Sequence, residues 1–175
     1  MKIAAYLCLL LVASPALAGD FGPWNFGMST EQIKAVSSHG PYKSFSNGDL
    51  ETYNGDFGGK KENVQFFLKA DHLWRIGVYT YEGTDLAAAT QAWFQAYKTL
   101  QSQYGPIETP DLNGESAESL AQSARALVAA GGKVQMAPLK QPEGMFVFSS
   151  FDGTAHGGVT YYIVRVFHDQ AGAAQ

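Results

Sequence analysis

The stretch that most constrains the fold runs from Val64 to Tyr81, two segments rich in aromatic and β-branched residues around Ala70-Asp71-His72. Such segments favour strands, and a short polar break between them predicts a β-hairpin. With a loop at residues 70–72, Lys69 faces Leu73, Leu68 faces Trp74, Phe66 faces Ile76 and Val64 faces Val78. That register gathers Val64, Phe66, Leu68, Trp74, Ile76 and Val78 on one side. A slip by one residue would carry Trp74, Ile76 and Val78 to the side of Gln65 and Lys69, so burial selects the in-phase pairing. The last loop residue, His72, is then expected near the left-handed region. The other side of the hairpin carries Gln65, Phe67, Lys69, Leu73, Arg75, Tyr79 and Tyr81, a mixture of aromatic and charged groups unlike a covered sheet face.

Residues 1–18 read as a separate segment. Lys2 gives a positive start, Ile3 to Val12 an apolar run too short to span a bilayer, and Ala16-Leu17-Ala18 a small-residue cleavage site before Gly19. This is the pattern of a secretory signal peptide, so the expected location is periplasmic or secreted. Gly19 occupies the place where bacterial lipidation would need a cysteine. The single cysteine, Cys8, leaves with the leader, which removes disulfides, thiolate metal sites and cysteine nucleophiles from the expected chemistry. The remainder is long enough for one domain, 19–175, to bury a core without cross-links. A net charge of −4 gives no electrostatic attraction to nucleic acid or anionic lipid, so neither is an expected partner.

After the leader, Ser29 with Gln32 makes a capping box, and Met28 can pack on Ile33, opening a short helix that Gly40-Pro41 ends. Residues 42–59 read as a weak strand or two, with Asn47-Gly48, Asn54-Gly55 and Gly58-Gly59 as turns and residues 50–53 as an edge strand. Beyond the hairpin, Leu86, Ala89, Trp93, Tyr97, Leu100 and Tyr104 recur at helical spacing, capped by Thr84 or Asp85 and stopped by Gly105-Pro106. Residues 106–143 are the least regular. A thin stripe of Leu120, Ala124, Leu127 and Val128 gives a helix before Gly131-Gly132, which serves either as a lid or as a long crossover. Residues 145–151 and 158–168 predict a second hairpin, joined by the turn-rich segment 152–157. Tyr162, Val164 and Val166 form its plainer face, and Tyr161, Ile163, Arg165 and Phe167 its mixed one. The expected fold is α+β, a mostly antiparallel sheet of about five strands with two or three helices packed on one face.

Catalytic signatures are sparse. The sequence has no Gly-x-Ser-x-Gly elbow, no Walker loop, no dinucleotide fingerprint and no His-Glu-x-x-His. His39, His72, His156 and His168 lie at no helical metal-binding spacing, and no metal or other cofactor is expected. A Ser-His-Asp group can be drawn from Ser149 or Ser150 with His156 or His168 and Asp152 or Asp169, but turn chemistry accounts for these residue types as well. The remaining candidate is the mixed face, with Phe67, Lys69, Arg75, Tyr79, Tyr81, Tyr161 and Arg165 as binding residues. Aromatic residues and arginine together are what interfaces enrich. Either this face is covered by the protein's own chain, or it meets a partner.

The Phe26-Gly27-Met28-Ser29 start of a short helix, its end at Gly40-Pro41, and the strands that follow resemble the repeating unit of small bacterial envelope proteins. These share the β-lactamase-inhibitor-like fold, which includes an outer-membrane assembly lipoprotein. The resemblance covers roughly Trp24 to Tyr81. It implies helices backing a curved sheet whose concave face binds a protein, and hence a non-enzymatic role with an envelope protein or peptide as partner. The chain departs from the lipoprotein members in lacking the lipidated cysteine, and from the secreted inhibitors in lacking disulfides. A small-molecule or glycan binder, with residues 113–131 as a lid, is the alternative, and a hydrolase the third reading.

Overall fold

The computed structural model describes residues 21–172; the expected leader with Cys8 and its cleavage site lies outside the described residues. In chain order the elements are α1 (Thr30–Lys34), a 3-10 turn at Ser37–His39, β1 (Lys43–Ser44), β2 (Leu50–Phe57), β3 (Lys60–Lys69), β4 (His72–Gly83) and α2 (Leu86–Tyr104). Then come β5 (Ile107–Glu108), α3 (Ala117–Ala129), β6 (Val134–Pro138), β7 (Met145–His156) and β8 (Val159–Gln170). The architecture is α+β, as the strand and helix patterning predicts. The antiparallel sheet has eight strands rather than five, in the order β1-β2-β3-β4-β8-β7-β6-β5.

The extra strands are β1, β5 and β6, from segments that read as weak or irregular, and two expected strands run on through turn-like sequence. Asn54-Gly55 is a register shift inside β2, not its end: Thr52 pairs with Val64 and Gly55 with Glu62, with one surplus residue bulged out. Segment 152–157 is mostly strand, and the second hairpin turns only at Gly157-Gly158, whose φ values are 60° and 80°. Pro138 sits opposite Ile107 at the end of an edge strand, where a missing N–H is tolerated. The Gln141 side chain completes that edge, donating to Val147 O at 3.0 Å and accepting from Val147 N–H at 2.7 Å.

The central hairpin keeps its expected pairings Phe66↔Ile76 and Val64↔Val78, but its tip differs. Lys69 pairs with His72, so the loop is Ala70-Asp71, and these two residues, not His72, carry positive φ (51° and 60°). Positive φ at both loop positions is the sense that matches strand twist. Leu68 then pairs with Leu73, and a bulge at Trp74 restores the register at Arg75. Leu73 therefore takes the core place expected of Trp74 and is fully buried, while Trp74 is half-buried. The tip is tied to α1, because Asp71 Oδ1 accepts from Thr30 N–H at 3.0 Å. That bond holds the Asp71 carboxyl below its ordinary pKa.

All the helices bury themselves against one side of the sheet. The capping box of α1 forms as the sequence predicts, and Ile33 is its buried residue. Asp85 caps α2 through Ala87 N–H and Ala88 N–H, and the helix presents Ala89, Trp93, Ala96, Tyr97 and Leu100 to the core. Helix α3 packs beside α2 and buries Ala121, Ala124 and Val128 in the same core. The helix of residues 117–129 is therefore part of the body and no lid over the mixed face. Sheet residues Val64, Phe66, Leu73, Ile76, Val78, Val147, Phe151, Val164 and Val166 complete the core, with Trp24 from the N-terminal segment against Phe66 and His39.

The halves have matching plans: a helical segment followed by three principal strands, with the last strand of each half, β4 and β8, paired at the centre of the sheet. Glycine at position 55 is a steric requirement of this packing. A Cβ there would lie 2.1 Å from Val64 Cγ2. We expect Gly55→Ala to lower unfolding free energy by about 2 kcal/mol, the range for overpacking, as measured by urea denaturation.

Candidate functional site: the helix-free face of the sheet

The face opposite the helices is built from rows of residues that strand pairing sets side by side. One row runs Gln135, Ser150, Arg165, Tyr79 and Asn63 across β6, β7, β8, β4 and β3. The next contains Phe148, Phe167, Gly77 and Gln65. A third contains Phe146, Asp169, Arg75 and Phe67. Alternation places these side chains together because β7 and β8 put their aliphatic residues on the core side at every second position.

Two arginines are locked on this face. Arg75 donates from Nε and Nη2 to both carboxylate oxygens of Asp169, each at 2.6 Å. Its guanidinium also lies over three rings, 4.6 Å from Trp74, 5.0 Å from Phe167 and 5.8 Å from Phe148. Arg165 Nη2 donates to Asp152 Oδ2 at 2.6 Å and lies 5.7 Å from the Phe167 ring. A bidentate pair with stacked aromatics fixes both the charge and the plane of the group. Burial raises the Tyr79 hydroxyl pKa, with Arg165 pulling in the opposite direction.

The aromatic residues form one patch. Phe148 stacks on Phe167 at 5.0 Å, Phe146 tilts against Phe148 at 5.6 Å, and Phe67 meets Phe167 at 6.4 Å. The last two rings close over Gly77, where a Cβ would lie 3.0 Å from Phe167 and 3.1 Å from Phe67. Phe146 is 48% exposed and Tyr161 50% exposed. At the β6 end, a groove of about 470 Å³ is walled by Arg75, Glu108, Pro110, Gln135, Phe146 and Phe148. Three buried polar atoms in the first row, Ser150 Oγ, Arg165 Nε and Asn63 Oδ1, have no hydrogen-bond partner among the described residues.

Of the binding residues expected from sequence, Phe67, Arg75, Tyr79 and Arg165 come together here. Tyr161 shares the face further out, on the part of the β7–β8 hairpin that overhangs the sheet, opposite Thr154. Lys69 is exposed at the tip of the first hairpin, away from the rings. Tyr81 belongs to the opposite side. A register shift after Tyr79 sets Tyr81 opposite the buried Val164, and its hydroxyl accepts from Asp85 N–H at 2.9 Å. The sequence reading missed Phe146, Phe148, Asp152 and Asp169 as members of the face. The alternation Met145-Phe146-Val147-Phe148 was their signal, since Met145 and Val147 point inward.

No family model, curated protein or solved structure matches the chain. The residues themselves must therefore carry the functional reading.

The drawn Ser-His-Asp group does not assemble. Ser149 and His168 are buried on the helix side, while Ser150, Asp152 and Asp169 are on the other face, and His156 is at the far end of the hairpin. His168 Nδ1 and both serine hydroxyls have no hydrogen-bond partner among the described residues. Among the same residues no three His, Cys, Asp or Glu side chains gather as metal ligands. The Phe21 ring sits 4.8 Å from His168, and burial lowers its pKa to about 4.

Two outcomes follow from this geometry. Arg75→Ala leaves the buried Asp169 carboxylate uncompensated and is expected to cost about 3 kcal/mol in denaturant unfolding, most of it recovered by removing both charges in Arg75→Met with Asp169→Leu. His168 acts through pH. The unfolded chain takes up its proton near pH 6.5 and the folded chain near pH 4, so the unfolded state binds more protons between them. Stability is full above pH 6.5 and falls by up to about 3 kcal/mol as pH drops to 4; a pH series on His168→Leu should lack this component.

Proposed function

We propose that the protein is an exported, non-enzymatic binding module of the bacterial envelope that holds a protein or peptide on the helix-free face of its sheet. The observation that carries this reading is the aromatic–arginine patch of Phe67, Phe146, Phe148, Phe167, Arg75 and Arg165, which no helix covers among the described residues, where α1, α2 and α3 pack behind the sheet. Phe146 is exposed, Phe67 and Phe148 are half-buried around the buried Phe167, and such rings held among fixed polar groups are the composition of an interface. Export rests on the leader pattern of residues 1–18. Among the described residues no helix is long and apolar enough to cross a membrane. The kinship suggested by the Phe26-Gly27-Met28-Ser29 segment, with envelope proteins of the β-lactamase-inhibitor-like fold, is supported by the repeated plan of helical segment then three strands, with helices behind one sheet.

A small-molecule or glycan ligand is the second reading. It is favoured by the groove of about 470 Å³, which lies in the size range of small-ligand sites and combines rings with an Arg–Asp pair.

The test uses side chains that can change without breaking an ion pair. Phe146→Ser with Tyr161→Ser is expected to leave the unfolding midpoint nearly unchanged and to abolish capture of a partner from envelope extracts, compared with the wild-type bait. Capture that survives the double change would overturn the face as the binding surface. A thermal-shift screen in which a glycan stabilises the protein, with no protein captured, would select the second reading.

A further inference from the structure

The edge of the sheet beside the groove is open over part of its length. Strand β6 pairs with β7 through Val134, Gln135 and Met136, but its other side is covered by β5 only at Ala137 and Pro138. After Glu108 the chain turns away, with Leu112 N–H closing on Thr109 O at 3.0 Å. Leu139 N–H donates to Pro106 O at 2.8 Å, and Ala137 pairs with Glu108, so these residues turn their amides to the β5 side. Backbone groups alternate along an antiparallel strand, which turns the N–H and C=O of Gln135 to the same side, where no strand lies. The Gln135 side chain meanwhile lines the groove, together with Phe146 and Phe148.

The charges around the groove decide what suits it. Arg75 and Asp169 neutralise each other through two hydrogen bonds. Glu108, on the far wall, makes no ion pair among the described residues. The groove thus offers rings and one uncompensated carboxylate.

Resting on the proposed peptide-binding role of this face, we propose that an extended peptide adds to β6 as a further strand at Gln135, and that a basic side chain of that peptide enters the groove. Its main chain exchanges hydrogen bonds with Gln135, as in strand addition at other open edges. Its cationic group lies over Phe146 and Phe148 and pairs with Glu108. An acidic side chain in the same place meets the Glu108 carboxylate and is rejected.

The experiment measures binding of labelled octapeptides to the full chain by fluorescence anisotropy. One peptide alternates threonine and lysine, one alternates threonine and glutamate, and the third is the lysine peptide with alternate amides N-methylated. The lysine peptide is expected to bind about tenfold or more tightly than the glutamate peptide. N-methylation is expected to weaken it by about tenfold, and Gln135→Pro by a similar factor, since proline is tolerated on an edge and only removes the donor. Glu108→Lys should reverse the order of the two peptides. Absence of lysine-peptide binding would overturn the inference. So would binding indifferent to N-methylation and to Gln135→Pro; if Phe146→Ser with Tyr161→Ser then abolished it, the face would stand without strand addition. A wild-type dimer in sedimentation that Gln135→Pro dissociates would also overturn it, by showing that the edge serves a second copy. Because the N-methylated probe leaves the protein unaltered, a fold defect in a variant cannot imitate the expected result.

Discussion

The antiparallel pairing of β4 with β8 is the constraint on which the rest depends. It joins the two halves into one sheet, and its register sets Arg75 opposite Asp169, Gly77 opposite Phe167 and Tyr79 opposite Arg165. Hydrophobic alternation alone tolerates a shift of two residues. A two-residue shift would break the Arg75–Asp169 pair and set Phe167 opposite Arg75 or Tyr79 instead of the glycine that leaves room for its ring. Charge and steric fit thus specify what apolar burial leaves degenerate. The same pairing supplies both the core, through Val78, Val164 and Val166, and the opposite face, through the arginines and rings.

Two small irregularities divide the residues between these faces. The bulge at Trp74 brings Leu73 into the core and leaves the indole under the Arg75 guanidinium. The shift after Tyr79 moves Tyr81 to the helix side, where its hydroxyl steadies the first turn of α2. In each case one surplus residue reverses the side taken by those beyond it, as a period of two requires. The face is consequently narrower at its β4 end than strict alternation would make it.

Much of this was legible in the sequence where local rules act alone. The caps of α1 and α2, the apolar stripe of α2 and the Phe66↔Ile76 pairing depend on neighbours within a few residues or on plain periodicity. The failures are non-local. Asn54-Gly55 reads as a turn by composition, yet Gly55 is there because Val64 on the neighbouring strand leaves no room for a side chain. Asp152 and Asp169 read as turn or tail residues because their partners, Arg165 and Arg75, lie 13 and 94 positions away. Bulges have no compositional mark here, so the exchange of Leu73 for Trp74 and the loss of Tyr81 from the face could only come from three dimensions. Strands β1 and β5 contain two residues each and carry too little pattern to detect.

The β7–β8 hairpin is longer than the sheet it belongs to. Its neighbours reach only to Phe151 on one side and Tyr162 on the other, so residues 154–161 form a two-stranded arm ending at Gly157-Gly158. An isolated ribbon of that length contributes little to global stability. Its tip is therefore a natural insertion point: a fluorescent or affinity module spliced between the two glycines would leave the sheet beneath it intact and would report from one end of the aromatic surface.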